Sequence, residues 1–350
     1  MTIWQIAVGE PHRYFEEIFF EYGVMIMGPS NLGPANEVSY ASGTGLAKGN
    51  QVNAFANSVK VGDLILARKG KEIIGIGRIH ENSSYQFVKQ FGCILGWDLC
   101  HTWNVSWIND SSLLSVLPNP FNESQRQIAT FNQVHNQDTA KFVKNIPADK
   151  FIRKEFNFNS DISKQLSYDD VRLKLFERGV SSIQIESVIG ALRQCRQLSA
   201  WYYANKHSGG RPTEHEVVSH MVLPLLLALG WSHQQIAVEW KRIDVALFLT
   251  TPTESQNCVG IIEAKGHGQS LGNVLGQPQG YVDNLKLTNA RKVIITDGLN
   301  IFIHELSRDT GKFNEVPTGY LNMNYLTESY LLPKGVSAID TLIQMLPSQF

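Results

Sequence analysis

The chain has 350 residues, of which 43% are hydrophobic and 18% charged, and its formal net charge is −1. This length suits two domains that each bury a core, and the near-neutral charge excludes a strongly basic nucleic-acid-binding chain, so a polyanion surface would be a local patch. The four cysteines lack CxxC spacing, which argues against a zinc site and against a disulfide framework.

Short apolar runs separated by glycine and asparagine fill the first 145 residues. Runs of this kind, among them 3–8, 63–70 and 72–79, predict strands. The stretch 49–59 predicts a short helix between two of them. We therefore predict that residues 1–145 form a small β-rich barrel.

From Ser167 onward, apolar residues recur at intervals of three or four, which predicts helices. We interpret residues 146–205 as a helical connector between two domains. Because an apolar stripe of this kind forms core or a subunit contact, helix 181–204 is the candidate interface of a homodimer.

A new helix is predicted after the run SGGRP at 208–212, with Thr213 as N-cap and Glu216 completing a capping box. The apolar run Met221–Leu229 contains Pro224 and is far shorter than the roughly 20 residues that span a bilayer, so it predicts a buried helix. The first residues lack the pattern of a secretory signal. We expect an intracellular, cytoplasmic protein without a membrane partner.

The remaining pattern is a helix, three strands, a helix and two strands, which predicts an α/β domain over residues 206–350. The second strand contains Asp244, and the third contains Glu263 and Lys265. Because side chains alternate along a strand, Glu263 and Lys265 project from one face, while Ala264 points to the opposite, buried face.

These residue types suit metal-assisted hydrolysis of a phosphodiester, which needs carboxylates converging on a divalent cation and a base or cationic group near the attacking water. Asp244 and Glu263 can supply the carboxylates. Lys265 can orient or deprotonate the water and stabilise developing charge. The pattern alone is weak, because an acid followed by ExK also occurs among ordinary surface charges at a sheet edge.

Asp244 and the tripeptide Glu263-Ala264-Lys265 resemble the motif of the PD-(D/E)xK nucleases, with Ile243 where the motif has proline. Other segments in the same order are similar to the N-terminal nuclease domain of type I restriction-enzyme R subunits, and they cover nearly all of 210–350. These segments are TEHEVVSHMVLPLLLALGW, KRIDVALF, GIIEAKG, GQPQGYV, VIITDGLNIFIHE and GYLNMNYL. The resemblance implies a restriction-endonuclease-like α/β fold.

The resemblance also implies the metal and its ligands. The ion would be Mg²⁺, with Mn²⁺ as a substitute. The metal-binding positions would be Asp244, Glu263 and Ala264, and Lys265 would be the catalytic lysine. A nuclease fold that has lost activity and only binds is the alternative.

Further residues of the expected site come from two helices. Glu214 matches the acidic residue on the first helix of the family, and Glu216, which competes for that role, already has a capping function. Gln277 and Tyr281 match the family's Q-x-x-x-Y element, which lies beside the active site.

The N-terminal stretches GEPHRYFEE and GNQVNAFANSVKVGDLILARKGKEIIGIGRI resemble the EVE branch of the PUA-like family, over residues 1–145. Modules of that family include readers of modified bases, and such a reader takes a flipped base into an aromatic-walled pocket. The candidates for this pocket are Trp97 and Trp103 as walls and Ser30, Asn31 and Asp98 as hydrogen-bonding groups. Alternatively, the tryptophans fill the core.

Together the halves predict a prokaryotic, modification-dependent restriction endonuclease that acts on double-stranded DNA. One active site of this kind cuts one strand, so a homodimer is expected. Three alternatives stay open at this point: a restriction or repair nuclease for unmodified DNA, an inactive nucleic-acid-binding protein that acts with a partner, and an RNA substrate.

Overall fold

A computed structural model describes residues 1–10, 13–40, 46–121, 129–156, 164–209, 212–269, 271 and 274–350. The chain divides into two compact units, Met1–Asn159 and Ser160–Phe350. The helices predicted from Ser167 onward belong to the second unit. The predicted break at 208–212 lies partly outside the described residues. In the described part of the chain, no helix is long and apolar enough to cross a membrane.

The first unit is rich in short strands. They are β1 Ile3–Ala7, β2 Gly9–Glu10, β3 Arg13–Tyr14, β4 Val24–Met27, β5 Leu64–Lys69, β6 Glu72–Arg78, β7 Tyr85–Phe87, β8 His101–Asn104, β9 Ser106–Ile108 and β10 Phe131–Gln133. Its α-helices are α1 Glu16–Tyr22, α2 Leu46–Asn57, α3 Ser111–Ser115 and α4 Gln137–Lys144.

These strands form a five-stranded sheet in the order β10-β1-β5-β6-β9, a three-stranded sheet β4-β8-β7 and the pair β2-β3. Val105 links β8 to β9 and donates its N–H to the Gly23 carbonyl at 2.8 Å, so one continuous segment passes from one sheet into the other. The described strands do not close into a barrel, because β10 and β9 remain the two edges of their sheet. The β-rich character predicted for residues 1–145 is observed, but the predicted barrel is not closed among the described strands.

The core of the first unit lies against the central strands of the five-stranded sheet. β1 lies between β10 and β5 and is buried along its whole length. Apolar side chains from the central strands meet those of α4 in one cluster, which includes Ile3, Leu64, Leu66, Ile76 and Val143. Burial of such side chains is the main favourable contribution to folding.

The second unit combines helices with one sheet. Its strands are β11 Ile236–Trp240, β12 Ile243–Phe248, β13 Cys258–Ala264, β14 Lys292–Thr296, β15 Asn300–Glu305 and β16 Gly319–Asn322. Its α-helices are α5 Tyr168–Glu177, α6 Ser182–Gly209, α7 Glu214–Val217, α8 Leu223–Ala228, α9 Gly276–Leu285 and α10 Ala338–Gln344, with a π-helical turn at Val218–Val222 between α7 and α8.

The six strands follow the order β11 to β16 across the sheet, and every neighbouring pair is antiparallel except β13 and β14. A parallel pair needs a crossover connection, and the segment that contains α9 supplies it. The predicted order of elements is observed, and β16 and α10 extend it. The mixed α/β character is thus confirmed. β13 is buried at all seven positions, which places its carboxylate in a dry environment.

Candidate active site

Asp244 and Glu263 lie on neighbouring antiparallel strands. Val245 on β12 pairs with Ile262 on β13, and one further step along that register sets Asp244 opposite Glu263. Residues opposite each other in an antiparallel pair project on the same side, with Cβ atoms about 4.5–5.5 Å apart. The two carboxylates therefore lie side by side.

Lys265 follows β13 directly, and its backbone N–H donates to the Thr296 carbonyl at 2.8 Å. The Nζ atom donates to Glu263 Oε1 at 2.5 Å. The same Nζ lies 3.6 Å from Glu214 Oε1. Spacing by two along the chain thus brings the ammonium group and the buried carboxylate together, and α7 adds a second carboxylate to the same lysine.

Glu214 is the first residue of α7, and the capping box predicted for this helix is confirmed. Thr213 Oγ1 accepts the Glu216 N–H at 3.3 Å, and Glu216 Oε2 accepts the Thr213 N–H at 2.7 Å. The capping contacts occupy Glu216. Glu214 is therefore the carboxylate of this turn that faces the lysine.

A fourth carboxylate, Glu239 on β11, was not predicted. The register of β11 and β12 sets Glu239 at the position opposite Asp244. Its Oε1 lies 3.1 Å from His215 Nδ1, which brings the first turn of α7 to the same place. We refer to Glu214, Glu239, Asp244 and Glu263 as the carboxylate cluster.

Glu263 is the most buried member of the cluster, with 0% of its surface exposed. Its Oε2 atom is buried and has no hydrogen-bond partner among the described residues. Burial raises the pKa of Glu263, and the charges of Asp244 and Glu214 add to this effect, against the opposing hydrogen bond from Lys265. A buried, unsatisfied carboxylate oxygen is costly unless a cation or donor binds it.

The pKa of Asp244 is raised for similar reasons to that of Glu263. Its Oδ2 atom accepts the Ala264 N–H at 2.7 Å. Burial raises the pKa of Asp244, and the charges of Glu214 and Glu239 raise it further, while the Ala264 N–H and Lys265 oppose the rise. The cluster therefore holds more negative charge than its protein neighbours neutralise.

Lys265 remains a cation in these surroundings. Its burial lowers the pKa, but the hydrogen bond to Glu263 and the charges of Glu263, Glu214 and Asp244 outweigh burial, so the pKa of Lys265 lies above its ordinary value. An ammonium group stabilises developing negative charge, whereas proton abstraction would need the neutral amine. Of the two roles that the sequence suggests for Lys265, its contacts thus favour stabilisation of negative charge over deprotonation of the water.

The oxygens of this site suit a hard divalent cation. The N–H of Ala264 faces Asp244, and because the N–H and C=O of an extended residue point to the same side, the Ala264 carbonyl faces β12 too. Mg²⁺ is commonly held by one or two carboxylates, with waters and substrate phosphates completing its shell. Among the described residues, no group of three or more His, Cys, Asp or Glu side chains forms a metal-ligating arrangement. The fit therefore depends on Asp244, Glu263 and backbone oxygen.

Comparison with known proteins assigns no family to the chain. Neither a family model nor a curated protein matches it. The chemistry of the site therefore depends on the geometry of its own residues.

The predicted Q-x-x-x-Y pair lies on α9. Gln277 Nε2 donates to the Tyr281 hydroxyl at 2.8 Å, a contact that spacing by one helical turn allows. Within the described part of the chain, no hydrogen bond or ion pair joins either side chain to Glu263 or Lys265. The structure brings these two residues together without linking them to the carboxylate cluster.

The loop after Lys265 is fixed by residues that the sequence did not single out. Asp297 Oδ2 accepts the Gly268 N–H at 3.3 Å. The His267 ring lies between the Ser199 hydroxyl, 3.1 Å from Nε2, and the Asp297 carbonyl, 3.1 Å from Nδ1. These contacts connect the end of β13 to α6. The only sequence signal was the Asp-Gly turn after β14.

In the first unit, Ser30 and Asp98 come together with Cys100, and we call these three residues the Asp98 cluster. Asp98 Oδ2 accepts the Ser30 N–H at 3.1 Å, and Asp98 Oδ1 accepts the Cys100 thiol at 3.2 Å. Ser30 Oγ accepts the Cys100 N–H at 2.7 Å. Burial raises the pKa of Cys100 to about 12, so this thiol stays protonated. Gly28 is required beside the cluster, because a Cβ there would lie 1.9 Å from the Asp98 carbonyl oxygen.

The predicted aromatic walls differ in their surroundings. Trp97 is half-buried, and the Arg13 guanidinium covers one ring face at 3.7 Å from the centroid. Trp103 is 7% exposed, and its indole N–H donates to the Phe55 carbonyl at 2.8 Å. Trp103 therefore fills the core, which is the alternative that the sequence left open. Asn31 is exposed next to Ser30.

Proposed function

We propose that this chain is a Mg²⁺-dependent endodeoxyribonuclease. The observation that carries the proposal is the convergence of Asp244, Glu263 and Lys265, with a buried carboxylate oxygen that has no partner among the described residues. Paired carboxylates beside a lysine are the groups that metal-assisted phosphodiester hydrolysis requires.

The residues have distinct tasks in this proposal. Asp244, Glu263 and the Ala264 carbonyl would hold Mg²⁺, or Mn²⁺ in its place. When bound, the ion polarises the phosphoryl oxygens and lowers the pKa of water. Lys265 orients the attacking water and stabilises the negative charge that develops on the phosphate. Glu214 keeps the lysine protonated and close to Glu263.

We extend the proposal to the substrate, which we take to be double-stranded DNA that carries a modified base. The first unit would read that base, with Trp97 as a stacking surface and Ser30, Asn31 and Asp98 as polar contacts. A flipped base costs a few kcal/mol to extrude, and stacking and hydrogen bonds to its edge return this energy. The partial exposure of Trp97 supports this assignment: the Arg13 guanidinium lies 3.7 Å from the ring centroid and the Phe15 ring packs in a T-shaped arrangement at 5.5 Å, without burying the indole completely.

The proposal includes a homodimer. One centre of this kind cuts one strand, so a break in both strands needs two copies. Helix α6 is the proposed contact, and Trp201 and Tyr203 near its end are 60% and 58% exposed.

The proposal is tested with methylated, hydroxymethylated and unmodified copies of one plasmid, each with Mg²⁺, Mn²⁺ or EDTA. We expect cleavage of a modified plasmid with either metal and none in EDTA, and no cleavage by Asp244→Asn. Equal cutting of all three plasmids would favour a restriction or repair nuclease for unmodified DNA. Binding without cleavage under every condition would favour the inactive binding protein.

A further inference from the structure

The turn between β11 and β12 has an unusual backbone. Trp240 pairs with Ile243, so the loop between them has only Lys241 and Arg242. Both residues have positive φ, 51° for Lys241 and 74° for Arg242. Two-residue turns with positive φ at both positions favour Asn-Gly or Gly-Gly, because other side chains clash with the backbone there. Two long cationic residues occupy this turn despite the strain.

The two cations of the turn have different surroundings. Lys241 Nζ donates to Ser255 Oγ at 3.1 Å and lies 4.5 Å from the centroid of the Trp240 ring, so its position is fixed. Arg242 is exposed, and its guanidinium has no hydrogen bond or ion pair among the described residues. The strained backbone of Arg242 is therefore not compensated by a hydrogen bond or ion pair of its side chain with the described residues of this unit.

Arg242 lies close to the carboxylate cluster. It precedes Asp244 by two residues, so their Cα atoms lie within about 7 Å whatever the local conformation. The four residues of the carboxylate cluster outweigh Lys265 and a divalent ion together by one negative charge. A phosphodiester that approaches this centre would meet net repulsion unless a further cation lies close by.

We propose that Arg242 is a phosphate-binding residue of the nuclease centre, which contacts a backbone phosphate of the DNA next to the one that is cut, while Lys241 holds the turn in place. This inference rests on the proposed function, since it assumes that DNA enters beside Asp244. Strain retained at an exposed turn, without a compensating contact in the protein, is typical of a position kept for a ligand. The guanidinium fork fits two phosphate oxygens at once.

The test uses Arg242→Gly in the full chain, because glycine adopts positive φ without strain and the variant should fold at least as well as the wild type. Equilibrium binding of a short DNA duplex is measured with Ca²⁺, at salt concentrations from 50 to 200 mM. Losing one phosphate contact should make the slope of log K against log salt shallower by about 0.9, so the wild type should lose about 3.5-fold more affinity over that range. At 50 mM salt the variant should bind about tenfold more weakly.

Lys286→Gly is the matched control, because Lys286 is also an exposed cation with positive φ, 51°, in the same unit. We expect this variant to keep the wild-type slope, and Arg242→Lys to restore most of the slope but less of the affinity. An unchanged slope in Arg242→Gly, with a wild type that binds and cuts DNA, would overturn the inference alone. A wild type that neither binds nor cuts DNA would overturn the proposed function, and the inference with it.

Discussion

The two units each contain a buried polar cluster, and the clusters differ in how well their groups are satisfied. In the Asp98 cluster, both carboxylate oxygens accept hydrogen bonds, from Ser30 and Cys100. In the carboxylate cluster, Glu263 Oε2 is buried without a partner among the described residues, and the charges of three acidic side chains, Glu263, Glu214 and Asp244, act on one lysine. The first arrangement resembles a scaffold that fixes a loop, and the second an arrangement completed by a ligand.

The difference has an energetic meaning. A fully satisfied polar network rigidifies its surroundings, whereas a partly satisfied one lowers stability and is retained where binding compensates. Perturbing the carboxylate cluster should therefore change metal binding and stability in opposite directions. Perturbing the Asp98 cluster should destabilise the first unit and leave metal binding by the second unit unchanged.

The largest expected effect is the loss of the buried ion pair. Lys265→Ala leaves the Glu263 charge without its partner, and since the Glu263 side chain is only 1% exposed, the free energy of unfolding should fall by about 3 kcal/mol. The double variant Glu263→Gln with Lys265→Ala should recover most of this loss, because no buried charge remains. Urea unfolding monitored by circular dichroism measures both.

Lys174→Ala serves as the control for the ion pair, because it breaks an exposed pair with Glu328 in the same unit. That loss should stay below about 1 kcal/mol. If Lys265→Ala costs no more than Lys174→Ala, the buried pair is not a special feature of the carboxylate cluster.

The next effect is stabilisation by the metal. Mg²⁺ at a hundred times its dissociation constant should raise the free energy of unfolding of the second unit by about 2.7 kcal/mol, because it binds the folded state. Asp244→Asn should show little of this gain, whereas Asp98→Asn should keep it in full. Thermal scans with and without Mg²⁺ measure the shift. The same gain in Asp244→Asn would place the ion elsewhere.

The sequence predicts one strand of the site better than its neighbours. ExK spacing on a strand suffices to place Glu263 and Lys265 on one face, and Thr213 with Glu216 suffices for the start of α7. The register of β12 against β13, which sets Asp244 opposite Glu263, depends on a hairpin and a long loop that no local pattern specifies. The spacing of residues along the sequence therefore does not determine this register.

Other features escaped for specific physical reasons. Lys241 and Arg242 give no turn signal, since neither residue type favours positive φ. The sequence therefore predicts a separate strand around Asp244 but neither the position of the turn before it nor the placement of Glu239 beside Asp244. Trp97 and Trp103 differ in burial although they are close in sequence. Trp103 points into the core from β8, whereas Trp97 lies in a loop before that strand. Closure of the barrel could not be predicted, because a series of short strands indicates a sheet but does not indicate whether the edges of that sheet meet.

A smaller loss is expected for Ser30→Ala in the Asp98 cluster. The substitution removes the acceptor of the buried Cys100 N–H, and an unsatisfied buried donor costs about 1–3 kcal/mol. Ser58→Ala, at an exposed position of the same unit, should stay within about 0.5 kcal/mol of the wild type. Hydrogen exchange of the Cys100 amide reports the local opening directly. Unchanged protection there would mean that the Asp98 cluster does not fix its loop.

The smallest expected effect has the opposite sign. Asp244→Asn should raise the free energy of unfolding by about 1 kcal/mol at neutral pH without metal, because a neutral amide still accepts the Ala264 N–H but no longer repels the other carboxylates. The folded-state pKa of Asp244 lies above its ordinary value, chiefly because of burial. The penalty for ionising this residue is therefore present at neutral pH, decreases as the pH falls through the folded-state pKa, and is absent below about 4, where the residue is protonated in both states. The difference in stability between the variant and the wild type should shrink over that interval. A difference that is constant from neutral pH to below 4 would mean that shape, rather than charge, distinguishes Asp244 from asparagine.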